Sequence, residues 1–178
     1  GGWAGAVSLY GAGNTRTGIR VEASSPALGK IITKVTGELS QTLSPTGTYK
    51  WTIRNDADTL VAETETGDAS TLTEAVTETV ETFTFDVPRI LQEGDRIQLE
   101  YSGGDVSNAV NLSYNNSLPA MPTGFKRCEY NGSYTDTTTG TPYFVLLETK
   151  TREQSTYDSN YKAVHHLSGN SGQYSIWK

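Results

Sequence analysis

Arg96-Ile97-Gln98-Leu99-Glu100-Tyr101 alternates polar and apolar side chains without a break, and Tyr49-Lys50-Trp51-Thr52-Ile53-Arg54 does the same. A period of two puts Ile97, Leu99 and Tyr101 on one face of a strand, and Tyr49, Trp51 and Ile53 on one face of another. A helix would scatter both sets, because its faces repeat every ~3.6 residues. Outward from these segments the pattern recurs between turn signals. Val110, Leu112 and Tyr114 alternate after the turn Ser102-Gly103-Gly104-Asp105, and Val80, Phe83 and Phe85 punctuate a Thr/Glu-rich run over 79–87. Ile32, Val35 and Leu39 face inward from 30–39, with Val35 slightly out of phase. Ile19-Arg20-Val21, Leu60-Val61-Ala62, Phe125 to Tyr130 and Tyr143 to Leu147 complete the strands. In Ser44-Pro45-Thr46-Gly47, Pro presets φ and Gly accepts a positive one, which makes a turn. Asp68 heads the one helix-like cap signal, a single short turn over 68–73.

Composition agrees. The 178 residues include 26 Thr and 10 Tyr, types that suit a pleated, half-buried surface, against a single Met. About eight to ten short strands between Gly, Pro and Asx turns predict an all-β chain, a two-sheet antiparallel β-sandwich of jelly-roll type. A net charge of -6 and a pI near 4.9 argue against binding nucleic acid or anionic lipid. No stretch approaches the ~20 apolar residues of a membrane span. One cysteine, Cys128, excludes an internal disulfide framework and reads as a half-buried strand residue. A chain that opens on Gly is expected to be a mature or trimmed product.

Catalytic motifs are missing. There is no Gly-x-Ser-x-Gly elbow, no His-Glu-x-x-His and no phosphate-cradling loop, so no enzyme is expected. His165 and His166 are adjacent, and on a strand they point to opposite faces, which does not suit one metal. No cofactor is expected. The turn carboxylates Asp56, Asp58, Asp95 and Asp105 are of the kind that hold structural calcium in sandwiches, but no spaced loop motif accompanies them. Sugar binding would use exposed aromatics beside Asn and Asp, and the candidates are Tyr101, Asp105, Asn108, Tyr114, Asn115, Tyr130 and Tyr134. Sequons at Asn111, Asn115 and Asn131 are candidate glycosylation sites and fit a secreted surface.

Gly18-Ile19-Arg20-Val21, Ser25-Pro26-Ala27-Leu28-Gly29-Lys30, Ile32 to Val35, Ser44 to Thr48, Asp68 to Thr73, Gly94 to Ile97 and Glu100 to Asp105 form a string of strand and turn motifs. This string resembles an extracellular β-sandwich domain common in archaeal surface proteins, which is itself similar to carbohydrate-binding jelly rolls. The resemblance covers roughly 18–149 and implies a fold and an extracellular or cell-surface location, with no catalytic residues. It divides the chain into an N-terminal strand arm, 1–17, the sandwich, 18–149, and a C-terminal extension, 150–178.

The arm carries Trp3, Val7, Leu9 and Tyr10, an apolar strand that recruits other chains if left unpaired. Residues 56–100 hold twelve Asp and Glu against Arg89 and Arg96, while 151–178 hold three basic and two acidic side chains. That asymmetry would orient head-to-tail contacts between copies. The expected function is a secreted structural subunit that assembles into an extracellular filament or appendage, with copies of itself as partners and terminal strands exchanged between neighbours. The competing expectations are a monomeric carbohydrate-binding module with glycans as partners, and a virion fibre or capsid decoration protein.

Overall fold

Every long segment with a period-two pattern becomes a strand, and the apolar half of each pattern becomes the filling between two sheets. The computed structural model describes residues 5–74, 79–115, 121–142, 146–150, 165–166 and 174–175. Its strands are β1 (Ala6–Leu9), β2 (Arg16–Val21), β3 (Ile31–Thr42), β4 (Gly47–Arg54), β5 (Leu60–Glu63), β6 (Gly67–Asp68), β7 (Thr79–Ile90), β8 (Arg96–Gly103) and β9 (Ala109–Asn115). They continue with β10 (Phe125–Tyr130), β11 (Tyr134–Thr137), β12 (Thr141–Pro142), β13 (Leu146–Lys150), β14 (His165–His166) and β15 (Tyr174–Ser175).

The pairs are antiparallel. One sheet runs β1-β9-β3-β13, with β7 on β3 and β12 on β9. The other runs β11-β10-β2-β8-β4-β5, with β6 also on β4. Leu39, Leu112, Val110 and Leu9 from the first sheet and Trp51, Ile53, Ile97, Leu99 and Tyr101 from the second form one buried core. The fold is therefore a β-sandwich. β14 and β15 form a separate two-stranded ladder, His165 opposite Ser175. Among the described residues, no helix is long and apolar enough to cross a membrane.

The displaced phase of Val35 has a local cause. The β3–β7 and β3–β13 registers both slip around Thr33, so Ile32 and Val35, three apart, are both completely buried. A bulge of this kind adds one residue to a strand and inverts the alternation beyond it. Asp68 is the expected cap: its Oδ1 accepts the Ser70 N–H at 2.9 Å and starts a 3-10 turn over Ala69–Thr71.

The strand order bears on two expectations. β2 begins at Arg16 and so runs across the expected boundary at residue 17/18, and β1 is a strand of the first sheet. The Val7 segment does not project. Ala6, Val7, Ser8 and Leu9 ladder onto Ser113, Leu112, Asn111 and Val110 of the same chain, and Leu9 is completely buried. A strand pattern alone does not say which free edge takes it, and β9 offers an edge inside the molecule. Trp3 and the predicted strand start at Tyr143 lie outside the described residues.

Candidate assembly edges and a charged clasp

Among the described residues, β1 is laddered on one side only, to β9. Its ladder is four residues long, Ser8 Oγ donates to Asn111 Oδ1 at 2.8 Å, and Gly5 O accepts the Tyr114 N–H at 2.8 Å. The connector to β2 is a tight turn in which Tyr10 N–H donates to Asn14 O and Gly13 N–H to Tyr10 O, while Gly11 N–H is tied to Gly103 O. Tyr10 is half-buried over this turn.

The opposite flank of the same sheet is β7. It pairs with β3 along one edge; among the described residues its other edge carries a single bridge, Phe85 to Thr64. Thr64, Glu65, Thr82, Phe83, Thr84, Phe85 and Asp86 line an open cleft of ≈ 460 Å³ at this seam. Phe83 meets Tyr49 edge to face at 6.0 Å, and Tyr49 Oη donates to Glu81 Oε2 at 2.9 Å. Burial and the neighbouring Glu81 carboxylate push the Tyr49 phenol well above its ordinary value, so it stays a donor.

The outer face of the second sheet is charged yet largely covered. Arg16 and Arg96 are only 7% and 6% exposed. Arg16 donates to Asp58 Oδ1 at 2.6 Å and its guanidinium lies 3.6 Å from the centre of the Tyr130 ring. Tyr134 crosses to donate to Asp58 Oδ1 at 2.5 Å, and Arg96 stacks 4.0 Å from its ring centre. Burial pushes the Asp58 carboxyl up, but the hydrogen bonds from Arg16 and Tyr134 outweigh it and hold the group below the usual carboxylate range. Asp56 receives Arg20 at 3.1 Å and Arg96 at 3.5 Å, and Asp95 receives Arg89 at 3.0 Å. Asp105 accepts from Ser107 N–H, Asn108 N–H and the Asn108 amide. Thus the four turn carboxylates named above are engaged by arginines or by their own turn, and among the described residues no three His, Cys, Asp or Glu side chains converge as metal ligands.

The sugar-contact candidates separate. Tyr101 is 2% exposed and donates to Thr46 O at 2.6 Å; Tyr114 is also 2% exposed and shares a 2.6 Å hydrogen bond with Thr17. Both are core residues, because the period that makes a strand legible also aims its aromatics inward. Asp105 and Asn108 close an exposed turn, Asn108 also accepting the Ser44 N–H at 3.3 Å. Tyr130 and Tyr134 do come together, ring centres 4.9 Å apart, but around Arg16 rather than around an open pocket. Asn111 is 3% exposed and wedged between Ser8 and Thr42, so the folded chain cannot present it for glycosylation. Asn131 is in an exposed turn, and the Asn115 side chain lies outside the described set.

Sequence reasoning missed the clasp. Arg16, Asp58 and Tyr134 are far apart in the chain, and only the strand order brings them together. Cys128 also went further inward than expected. It is completely buried, accepts a 3.4 Å hydrogen bond from Gln98 Nε2, and burial pushes its thiol up to about 12. No protein-family model, curated protein or solved structure matches the chain.

Proposed function

We propose that this sandwich, wound in jelly-roll fashion, is a secreted structural subunit whose copies join end to end by exchanging terminal strands, without catalysis. One observation carries the reading. β1 hangs on a four-residue ladder at the rim of its sheet and is followed by a connector containing Gly11 and Gly13. The β1 of a neighbouring copy would make the same ladder on β9, so exchange conserves the ladder hydrogen bonds and apolar contacts and asks that the Tyr10–Asn14 turn and its Gly11–Gly103 tie open. If each copy lends β1 onward and the ring does not close, a filament grows. The acidic β5–β7 flank, whose outer edge carries one bridge, Phe85 to Thr64, among the described residues, supplies a second surface for end-to-end contact.

The test is a cysteine pair at Ser8→Cys and Asn111→Cys, which face each other across the ladder. Oxidised at rising protein concentration, an exchanging protein gives a covalent ladder of multimers on a non-reducing denaturing gel. Intramolecular closure alone at every concentration would refute strand exchange. Filaments of unchanged length after deletion of residues 1–12, seen by electron microscopy, would refute the donor role of the arm.

A further inference from the structure

The turn between β10 and β11, Asn131-Gly132-Ser133, is exposed and closed by one hydrogen bond from Asn131 N–H to Ser133 O at 3.2 Å. Gly132 has φ +76°, and a Cβ built there would have nothing within 4 Å. The backbone N–H of Gly132 makes no hydrogen bond among the described residues, and neither does the Asn131 carboxamide. The other asparagines with described side chains are held. Asn14 donates to Glu129, Asn55 accepts the Thr59 N–H, Asn108 binds Asp105, and Asn111 is bonded to both Ser8 and Thr42. Each of those is followed by a residue with a Cβ, which crowds the approach of a side chain to the next backbone nitrogen.

We propose that Asn131 is a site of spontaneous deamidation. The Gly132 nitrogen bonds to Cγ of Asn131 as its proton is lost, the carboxamide C–N bond breaks, and ammonia departs carrying a proton. Water then opens the five-membered imide: attack at Cγ gives aspartate, and attack at the backbone carbonyl gives isoaspartate. The second product inserts a methylene into the main chain beside Tyr130 and Tyr134, the two rings that flank Arg16. Chemical ageing of this turn therefore acts on the clasp. The new carboxylate also adds negative charge one residue from Tyr130.

The experiment is incubation of the full chain in mildly alkaline buffer, followed by peptide mapping and isoaspartyl methyltransferase labelling. The expected result is replacement of NH2 by OH in the Asn131 peptide an order of magnitude sooner than in the peptides holding Asn14, Asn55, Asn108 and Asn111, with methyl label on the same peptide. Gly132→Ala should slow it. An Asn131 that keeps its amide as long as the others do, or one that carries a glycan on Nδ2 in protein from its own source, overturns the proposal.

Discussion

The hydroxyl of Tyr134 lies 2.5 Å from Oδ1 of Asp58, although three strands, β10, β2 and β8, stand between β11 and β4 in the sheet. Strands are spaced by ~4.8 Å, so the contact is bridged by the β4–β5 loop that carries Asp58 and by the long Tyr134 side chain, meeting over Arg16 of β2. On the way Tyr134 also meets Gln98 Oε1 at 3.1 Å. The pair pins the last hairpin of the sheet to the loop between β4 and β5. That loop holds Asp58 at φ +61°, a conformation that non-glycine residues seldom adopt without compensation.

Removing one hydroxyl tests the clasp. Tyr134→Phe keeps the ring over Arg96 and Arg16 but leaves Asp58 to Arg16 and the more distant Arg54. A hydrogen bond to a charged group contributes about 1.5–3 kcal/mol. With Asp58 partly exposed the loss should be near the lower end, measured by urea denaturation. Asp58→Ala should cost more, because Arg16 is then left 7% exposed without its carboxylate. The two substitutions together should cost less than their sum, the mark of a shared interaction.

Acid should release the same contacts. Asp58, Asp56 and Glu22 have folded-state pKa values below their ordinary ones. For Glu22, burial acts upward, while Lys126 and Arg20 prevail downward. For Asp56, the hydrogen bond from Arg20 is the main cause. A depressed carboxylate contributes stability that is fully present above its unfolded pKa and is lost as pH falls through the folded value. Stability should therefore hold through neutral pH and decline below about pH 4. In Asp58→Asn that decline should be shallower, as read from urea midpoints across the pH range. An equally steep acid limb in the variant would show that Asp58 is not one of the groups responsible.

How much of this was readable beforehand depends on whether the information was local. The inward faces of β4, β8 and β9 were legible because alternation is a property of consecutive residues. The Asp68 cap was legible for the same reason. β11 was not, since Thr135-Asp136-Thr137 carries no apolar member and its strand character comes from pairing with Cys128 and its neighbours in β10. Asn111 was readable as a sequon but not as a buried one, because its burial depends on β1 and β3 lying on either side. The home of β1 was likewise unreadable: several edges satisfy the same backbone groups, and only the assembled sandwich selects β9.

Two glycines in the sandwich should tolerate alanine unequally. A Cβ on Gly18 would stand 2.0 Å from the Ile97 carbonyl oxygen and 2.8 Å from Gln98 Cα, both main-chain atoms of the paired strand β8. On Gly37 it would stand 2.6 Å from Trp51 Cζ2, a side chain. Trp51 is completely buried, so it has little room, but a ring can tilt where a hydrogen-bonded strand cannot. Gly37→Ala should cost about 1–3 kcal/mol as overpacking. Gly18→Ala should cost more and sharply lower the yield of folded protein, compared by circular dichroism and denaturation.

Leu9 separates a strand that stabilises its own subunit from one that merely rests on it. The side chain is completely buried with Val110 and Leu112 of β9 in the same core. Truncation to alanine at such a site costs about 2–5 kcal/mol, depending on how far the cavity collapses. Val7, only partly buried against the core, should lose less when truncated. Measured in dilute protein, where exchange between copies is suppressed, Leu9→Ala should therefore lower the urea midpoint clearly and Val7→Ala only modestly. If β1 contributes chiefly between copies, the Leu9→Ala deficit will instead be small in dilute protein and grow with concentration, because association stabilises by mass action only the protein that still associates. A deficit that is large and independent of concentration places the contribution of Leu9 inside the subunit.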